Sequence, residues 1–323
     1  MRALVTGGAG FIGSHLCEEL LRRGFKVTAI DDLSTGDMKN IRDIKDKNFK
    51  FVKGTILNQK LMGRLIKDCD IVYHLAAAVG VRYILDHTLS SLITNVEGTK
   101  VVLEFADKYH KKVFLASTSE VYGKHVCAPF REEDDRVLGC TSVNRWSYSD
   151  AKAIDEVMAL AYAKERKLRV VIARFFNTVG PRQTGRYGMV LPRFVLEALS
   201  NKPIVVYGDG SQVRSFAYID DVVKAVVDLS LAKKAEGEIF NVGNDKPITI
   251  KELAEKVRSA TRLKCAIKYV SFKEAFGKRY ADFEEIECRL PDISKLRRLL
   301  KYSPVHDTDS IIENIVKYCR KKD

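Results

Sequence analysis

Tyr148 and Lys152 place a phenol and an ammonium four residues apart. At this spacing the ammonium can favour loss of the phenol proton. The pattern of residues 146–168 predicts a helix, and positions i and i+4 lie on one face of a helix. A nearby positive charge lowers the pKa of a phenol, ordinarily about 10, and favours the phenolate. Tyr148 is therefore a candidate general base for a substrate hydroxyl. Because this spacing is common in helices, the pair needs support from elsewhere in the chain.

Hydroxyl and carboxyl side chains follow the strand predicted at residues 112–117. Ligands of parallel α/β sheets bind beyond the carboxyl ends of the strands. We expect the Thr118 hydroxyl to bridge Tyr148 and a substrate oxygen, with Ser119 beside it. Glu120 has two interpretations. It is either a group that manages protons during the reaction or a cap or ion-pair partner at the strand end.

The first thirteen residues have the pattern of a dinucleotide-binding turn. Residues 2–6 predict a buried strand, three glycines follow at intervals of three, and an amphipathic helix begins at once. Such glycines allow a tight bend, a close approach to a pyrophosphate and close packing of the helix on the strand. The pyrophosphate is expected at the positive end of the helix. The cofactor-binding candidates in this turn are Gly7, Gly10, Phe11, Ile12 and Gly13.

Asp31 follows the second predicted strand, residues 26–30, and lies 18 positions after Gly13. A carboxylate here accepts hydrogen bonds from ribose hydroxyls and repels a 2′-phosphate. No arginine that could accommodate such a phosphate follows before Arg42. The sequence therefore predicts NAD rather than NADP as the cofactor.

Apolar runs with strand character alternate with helical patterns through the first half of the chain. The later runs are residues 49–52, 70–75, 112–117 and 169–174. The alternation predicts an α/β fold of Rossmann type, a doubly wound parallel sheet with helices on both faces. After residue 176 Gly and Pro become frequent. We expect an NAD-binding domain over residues 1–175 and a smaller α/β substrate-binding region over residues 176–323, some of whose segments return to the first domain.

The composition favours a globular protein of the cytoplasm. The formal net charge of +13 comes from 55 basic and 42 acidic side chains interleaved along the 323 residues, so we expect no nucleic-acid partner. No apolar run approaches the roughly 18 residues that span a membrane, and a strand beginning at residue 2 leaves no room for a signal peptide. The seven cysteines are scattered without a C-x-x-C pair, which disfavours disulfides or a zinc site. We expect no bound metal.

The motifs together resemble the NAD-dependent nucleotide-sugar epimerase/dehydratase family, within the extended short-chain dehydrogenase/reductase superfamily. The resemblance covers essentially the whole chain and is specific for the family rather than for one reaction. It is carried by residues 6–13 (TGGAGFIG), 74–77 (HLAA), 117–123 (STSEVYG), Tyr148 with Lys152, 174–181 (RFFNTVGP), 207–210 (YGDG), Arg214 with 216–221 (FAYIDD), and 240–243 (FNVG).

The resemblance also implies roles for individual residues. Tyr148, Lys152 and Thr118 match the family's catalytic triad. Lys152 would also donate a hydrogen bond to the nicotinamide ribose. The family's cofactor contacts imply Leu75 and Ala76, and its substrate contacts imply Asn177, Arg214, Arg182 and Tyr207.

Three further expectations follow from the family. Asn177 and Arg214 would hold the diphosphate of a nucleotide sugar, most simply a UDP-sugar. Thr55 stands where the family usually has an aspartate that meets the adenine amine, so this contact is weakened. A homodimer is expected through the helices at residues 88–109 and 146–165.

The family's shared first step is oxidation of the sugar at C4 to a 4-keto sugar, and the next step differs between its branches. Residues 118–123 are similar to UDP-glucuronate decarboxylases. Residues 144–148 resemble UDP-apiose/UDP-xylose synthase and the decarboxylase that initiates aminoarabinose synthesis, and residues 274–282 with 289–292 resemble the former. Decarboxylation of UDP-glucuronate is therefore favoured. The alternative is 4-epimerisation of a UDP-hexose or UDP-hexuronate. A 4,6-dehydratase is less favoured, because Ser119 replaces the aspartate of its Asp-Glu pair.

Overall fold

The computed structural model describes residues 1–125, 129–185, 189–277 and 284–321, except the side chains of residues 81–83. The strands are β1 Arg2–Thr6, β2 Lys26–Asp31, β3 Phe49–Lys53, β4 Ile71–His74, β5 Lys112–Thr118, β6 Val170–Phe175, β7 Thr178–Val179, β8 Ile204–Tyr207, β9 Val213–Arg214, β10 Ala217–Tyr218, β11 Glu238–Val242, β12 Ile248–Thr249, β13 Ile267–Val270 and β14 Cys288–Arg289. The α-helices are α1 Phe11–Arg22, α2 Gln59–Lys67, α3 Val81–Asp86, α4 Thr88–Lys108, α5 Ser147–Arg166, α6 Val190–Leu199, α7 Ile219–Leu231, α8 Ile250–Thr261, α9 Phe272–Phe276, α10 Ser294–Leu300 and α11 Thr308–Arg320.

Within the described residues, seven parallel strands form the main sheet in the order β11–β6–β5–β4–β1–β2–β3. β4 is fully buried and β1 and β6 nearly so, which is why these strands are continuous apolar runs in the sequence. The predicted Rossmann-type doubly wound sheet is confirmed.

The strand order reverses beside β1, which lies between β2 and β4. The chain builds outward from β1 to β3 and then crosses back to begin the other half at β4. This reversal opens a crevice at the carboxyl ends of β1 and β4, the place where such sheets bind ligands. The glycine turn after β1 and the loop after β4 both border it.

Helices cover both faces of the sheet through two apolar cores. On one face α2, α4 and α5 contribute buried side chains such as Met62, Val102 and Ala159. On the other face α1 and α7 pack together through residues that include Leu16 and Val226. Apolar side chains thus cover both faces of the main sheet, and the polar groups of the site lie at the strand ends.

Helix α5 carries the Tyr–Lys pair in its first two turns. It spans Ser147–Arg166, two residues shorter at its C-terminal end than the predicted helix, because Lys167 adopts a left-handed conformation with φ 60°. The helix packs against β5 and the short turn at Ser119–Tyr122 that follows it. Tyr148 therefore lies next to the residues that follow β5.

The second half of the chain forms small sheets that surround the same edge. β10 pairs with β7, β13 with β8, and β9 lies between β12 and β14. The register of β14 on β9 places Arg289 opposite Arg214. β11 instead extends the main sheet by pairing with β6.

Candidate active site

The glycine turn is shaped by close backbone approaches. Gly7 has φ +69°, and a Cβ on it would lie 2.9 Å from the backbone nitrogen of Ala76. A Cβ on Gly13 would lie 2.1 Å from the carbonyl oxygen of Gly7. Only glycine fits both positions, so the turn and the start of α1 stay in close contact.

The start of α1 fits the diphosphate of a dinucleotide. Gly10 caps the helix without a side-chain hydrogen bond, so no side chain of the cap covers the first-turn N–H groups near Phe11 and Ile12. These N–H groups and the positive end of the helix dipole favour a phosphate. The cradle that glycine alone can form, together with this end of α1, fits NAD, which Gly7, Gly10 and Gly13 would hold by its pyrophosphate.

Asp31 lies at the end of β2, beside the turn. Its carboxylate accepts hydrogen bonds from the backbone N–H groups of Ala9 at 3.0 Å and Leu33 at 2.8 Å. Burial raises the pKa of Asp31, and these two bonds oppose that rise. A Cβ on Gly36 would lie 2.7 Å from the carboxylate. The loop after β2 therefore folds closely over Asp31 and presents it at the edge of the turn.

Thr6 connects the end of β1 to the loop after β4. Its hydroxyl oxygen accepts the N–H groups of Leu75 at 3.1 Å and Ala76 at 3.0 Å. The same oxygen is 2.8 Å from Nδ1 of His74. Leu75 and Ala76 are thus fixed against Gly7, on the side of the crevice where the sequence places the cofactor.

Tyr148 is half-buried and Lys152 is buried on the same face of α5. Burial raises the pKa of the Tyr148 phenol, and the negative charges of Glu120 and Asp155 raise it further. Nζ of Lys152 donates to Oδ2 of Asp155 at 2.7 Å, and both side chains are at most 3 % exposed. The ammonium of Lys152 is therefore already held by a carboxylate one turn further along the helix.

Thr118 ends β5, one residue beyond the predicted strand, and Ser119 and Glu120 follow it. The Thr118 hydroxyl accepts the N–H of Glu120 at 3.2 Å and caps the short turn, which leaves its own proton free to donate. Ser119 is buried. The structure thus brings these three residues to the start of α5, where they adjoin Tyr148.

Glu120 lies between two buried arginines. Its carboxylate is 3.0 Å from Arg145 and 2.7 Å from Arg289. Burial raises the pKa of Glu120, but the charges of Arg145 and Arg289 outweigh burial and lower the pKa to about 2. Of the two interpretations of Glu120, the ion-pair arrangement is the one that the geometry displays.

Arg214 extends this charged cluster. It pairs with Glu285 and also donates to the carbonyl oxygens of Val213 and Glu287. Burial and the neighbouring charge of Arg289 lower the pKa of Arg214 to about 10. Among the described residues, Nε of Arg289 is buried without an acceptor. The cluster therefore has unused capacity to bind an anion.

The remaining predicted substrate residues lie apart from one another. Asn177, at φ 21°, donates from its side-chain amide to the carbonyl oxygen of Ser215. Tyr207 lies under the guanidinium of Arg193, 4.5 Å from the ring centre. Arg182 pairs with Glu18 of α1 at 2.6 Å and so sits against the cofactor side of the crevice.

Two sequence features have local structural explanations. The Thr55 hydroxyl accepts the N–H of Leu57 at 3.3 Å, a turn contact that competes with any adenine contact. Trp146 is 1 % exposed and lies beneath the guanidinium of Arg145, as expected of a packing residue. Part of the segment 274–282 singled out in the sequence, residues 278–282, lies outside the described residues.

Sequence reasoning missed Arg145, Arg289 and Asp155. Arg145 and Asp155 are one turn away from Tyr148 and Lys152, so helical spacing could have identified both. Arg289 reaches the site from β14, and its only signal in the sequence is the resemblance of residues 289–292, which did not assign it to the site.

The described part of the chain contains neither a membrane-spanning helix nor a cluster of metal ligands. No helix there is long and apolar enough to cross a membrane. No group of three or more His, Cys, Asp or Glu side chains in that part could hold a metal ion.

The fold and the site define a dinucleotide-dependent enzyme of Rossmann type with a Tyr–Lys pair at the carboxyl edge of its sheet. A family model described as the NAD dependent epimerase/dehydratase family matches residues 3–243. The chain belongs to this family, and NAD is its cofactor.

Individual relatives cover almost the whole chain. A UDP-N-acetyl-alpha-D-glucosaminuronate decarboxylase of Bacillus cytotoxicus is 39% identical over 99% of this chain and 98% of its own length. UDP-glucuronic acid decarboxylase 1 of Danio rerio is 32% identical over 98% of this chain and 72% of its own length. The solved structure of UDP-glucuronic acid 4-epimerase from Bacillus cereus, with UDP-glucuronic acid and NAD, has a TM-score of 0.88, 30% identity and full coverage of both chains.

Proposed function

We propose that this protein decarboxylates a UDP-hexuronate, with UDP-glucuronate as the favoured substrate. The observation that carries the proposal is the buried cluster of Glu120 with Arg145 and Arg289 beside Tyr148. A hexuronate carries a carboxylate at the carbon next to C5, and a guanidinium binds a carboxylate through two parallel hydrogen bonds. One similar decarboxylase is named for UDP-N-acetyl-alpha-D-glucosaminuronate and another for UDP-glucuronic acid, and both names support a UDP-hexuronate as the substrate.

The charge balance of the cluster supports an anionic substrate. Among the described residues the cluster contains three arginines and two glutamates, which give it one positive charge in excess. A buried excess charge is costly unless a counter-ion is present. The carboxylate of a hexuronate would supply that counter-ion, and Nε of Arg289 would gain an acceptor. The members of this charged cluster are Arg145, Arg214, Arg289, Glu120 and Glu285.

The proposed mechanism begins at the C4 hydroxyl. Tyr148 takes its proton, Thr118 holds the oxygen by a hydrogen bond, and Lys152 favours the phenolate by its charge. NAD, when bound, would supply the hydride acceptor and later the hydride donor for C4. The ketone is beta to the carboxylate, so the electrons of the C5–C6 bond pass to the ketone oxygen as CO2 leaves. C5 then takes up a proton from water, and Tyr148 returns its proton to the C4 oxygen when the ketone is reduced.

Glu120 has a supporting role in this proposal. A carboxyl group with a pKa of about 2 carries no proton near neutral pH and cannot donate one. We propose instead that it orients Arg145 and Arg289 around the leaving carboxylate, with Ser119 packed behind it. Asn177 and Arg214 would contact the diphosphate, while Tyr207 and Arg182 would border the nucleotide sugar.

Epimerisation at C4 is the second candidate, favoured by the overall match to a UDP-glucuronic acid 4-epimerase. Both reactions share the 4-keto sugar, and they differ in whether the carboxylate is retained. An epimerase must restrain decarboxylation and let the keto sugar rotate, so that the hydride returns to the opposite face.

The test is a parallel incubation with UDP-glucuronate, UDP-N-acetylglucosaminuronate and UDP-glucose, followed by mass spectrometry. We expect a hexuronate to lose the mass of CO2 and UDP-glucose to remain unchanged. An isomer of unchanged mass would identify the epimerase, and loss of water would identify a dehydratase. Arg289→Gln should abolish the CO2 loss, whereas Arg298→Gln on the exposed side of α10 should not.

We also propose that the protein is a homodimer through α4 and α5. Four large apolar side chains of these two packed helices are exposed, at 72 % for Leu89, 46 % for Ile93, 46 % for Ile154 and 66 % for Val157. A second copy of the same helix pair would cover this face by twofold symmetry. Sedimentation should give twice the monomer mass for the wild type and a monomer for Leu89→Glu with Val157→Glu.

Two broader assignments complete the proposal. We place the NAD-binding part in residues 1–175 and the substrate-binding part in residues 176–323, with β11 as a segment that returns to the main sheet. We place the protein in the cytoplasm, because six cysteines of the described residues carry thiols rather than disulfides, and thiols persist in a reducing compartment.

A further inference from the structure

A buried polar chain connects the glycine turn to Lys152. It starts at Thr6, runs through His74 at the end of β4 and ends at Thr99 on α4, next to Asp155 of α5. The oxygen of Thr6 is 2.8 Å from Nδ1 of His74, and Nε2 of His74 is 3.2 Å from the Thr99 hydroxyl. All four side chains are at most 1 % exposed. The chain crosses from the cofactor side of the crevice to the helix of the Tyr–Lys pair.

The direction of each proton in this chain follows from the acceptors already filled. The Thr6 oxygen accepts two backbone N–H groups, so its own proton goes to Nδ1 of His74. Nε2 of His74 then carries the ring proton and donates a hydrogen bond to the hydroxyl oxygen of Thr99. Burial and the charge of Lys152 lower the pKa of His74 to about 3, so the ring is neutral. Among the described residues, Oδ1 of the nearby Asp155 carboxylate is buried without a hydrogen-bond partner, so it is an open acceptor beside the Thr99 proton.

Asp155 lies next to the end of this chain and is the partner of Lys152. Burial raises the pKa of Asp155, and the charge of Lys152 opposes that rise. Its Oδ2 accepts one of the three protons of the Lys152 ammonium. Two protons of the Lys152 ammonium remain for other acceptors, while the hydrogen bond to Asp155 fixes the position of the ammonium.

We propose that Asp155 is a positioning residue, which anchors the Lys152 ammonium next to the end of the Thr6–His74–Thr99 chain. The proposal rests on the roles given above to Tyr148 and Lys152. Asp155 does not touch the reacting atoms. It acts through Lys152 and through its negative charge on the Tyr148 phenol.

The charges around Tyr148 allow the effect of Asp155 to be isolated. Glu120 faces the phenol from the turn after β5, but Arg145 and Arg289 neutralise it. His74 from β4 is uncharged, and Lys152 lies on the same helix as Asp155. Removal of the Asp155 charge therefore leaves a positive excess near the phenol, which favours the phenolate.

The first experiment titrates Tyr148 by its phenolate absorbance in the NAD-bound protein. Subtraction of the matching Tyr148→Phe spectrum isolates one phenol among 13 tyrosines. We expect Asp155→Asn to lower the midpoint by about one pH unit, and Asp155→Glu to restore it. Asp150→Asn is the matched control on the same helix, because Asp150 is 44 % exposed and pairs with Arg136. A midpoint that is unchanged or higher in Asp155→Asn would overturn the proposal.

The second experiment uses the wild type, so it holds even where Asp155→Asn does not fold. Long-range proton–nitrogen NMR of histidine-labelled protein reports the tautomer of each ring, and His74→Gln assigns the signal. We expect His74 to be neutral with its proton on Nε2 throughout the mildly acidic range. A proton on Nδ1, or a protonated ring, would contradict the chain. Neither experiment requires a sugar substrate, so failure of the proposed reaction leaves both results interpretable.

Discussion

Arg214 and Arg289 lie opposite each other on the neighbouring parallel strands β9 and β14. Each has its own acidic partner, Glu285 for Arg214 and Glu120 for Arg289. The strand register therefore forces two positive charges together in a nearly dry place, where their repulsion contributes to the lowered pKa of Arg214. An anionic substrate relieves this repulsion, so the sheet geometry itself selects for negative charge.

Replacement of Tyr148 by Phe removes only the phenol oxygen. We expect turnover to fall by about 100-fold or more, because a positioned general base contributes at least that much. NAD should still raise the melting temperature of the variant, since the ring and the glycine turn are unchanged. Retention of more than about a tenth of the wild-type rate would refute the general-base role.

Replacement of Glu120 by Gln keeps the shape of the side chain and removes its charge. Arg145 and Arg289 then lose their common partner, so the carboxylate of the substrate is held in the wrong orientation. We expect oxidation at C4 to persist and CO2 release to fail, seen as a lasting rise in reduced-nicotinamide absorbance. Glu133→Gln on the exposed surface is the control. Normal product formation by the Glu120→Gln variant would refute the proposed role of Glu120 in the mechanism.

Replacement of Gly13 by Ala should impair the nucleotide-binding turn. The added Cβ would lie 2.1 Å from the carbonyl oxygen of Gly7, so α1 must move away from the turn. We expect a lower melting temperature and a weaker stabilisation by NAD in calorimetry. The control is Gly185→Ala, where the nearest atoms are 3.4 Å from the added Cβ. Equal behaviour of the two variants would show that close packing at Gly13 is dispensable.

The pH dependence of stability should contain a contribution from His74. Its folded-state pKa of about 3 lies below the ordinary value of 6.5. Between these values the unfolded chain binds a proton that the folded protein does not, so stability falls as the pH drops below about 6.5. We expect His74 to account for about 1 kcal/mol of the stability lost between about pH 7.5 and pH 5.5.

Urea unfolding at these two pH values measures that loss. His74→Gln should remove this part of the pH dependence, whereas His87→Gln, at an exposed position, should retain it. An identical slope in the wild type and His74→Gln would show that the His74 ring binds the same number of protons in the folded and unfolded states.

The sequence predicted the features that depend on local spacing. The glycine turn, Asp31 after β2 and the Tyr–Lys pair follow from periodicities that a short stretch of chain contains. The anion cluster does not, because Arg289 meets Glu120 only through the pairing of β14 with β9. Spacing along α5 marks Asp155, but its meaning depends on Thr99 and His74, which come from two other elements. Long-range register and side-chain direction were beyond the reach of pattern analysis.

The pairing of β11 with β6 has a consequence for how the chain is made. During synthesis β6 is complete at Phe175, but its outer edge has no partner until Val242 has emerged. An unpaired hydrophobic edge strand invites pairing with other chains. The nascent protein would therefore be most prone to aggregate in this interval, and a fragment cut after residue 175 would keep that exposed edge permanently.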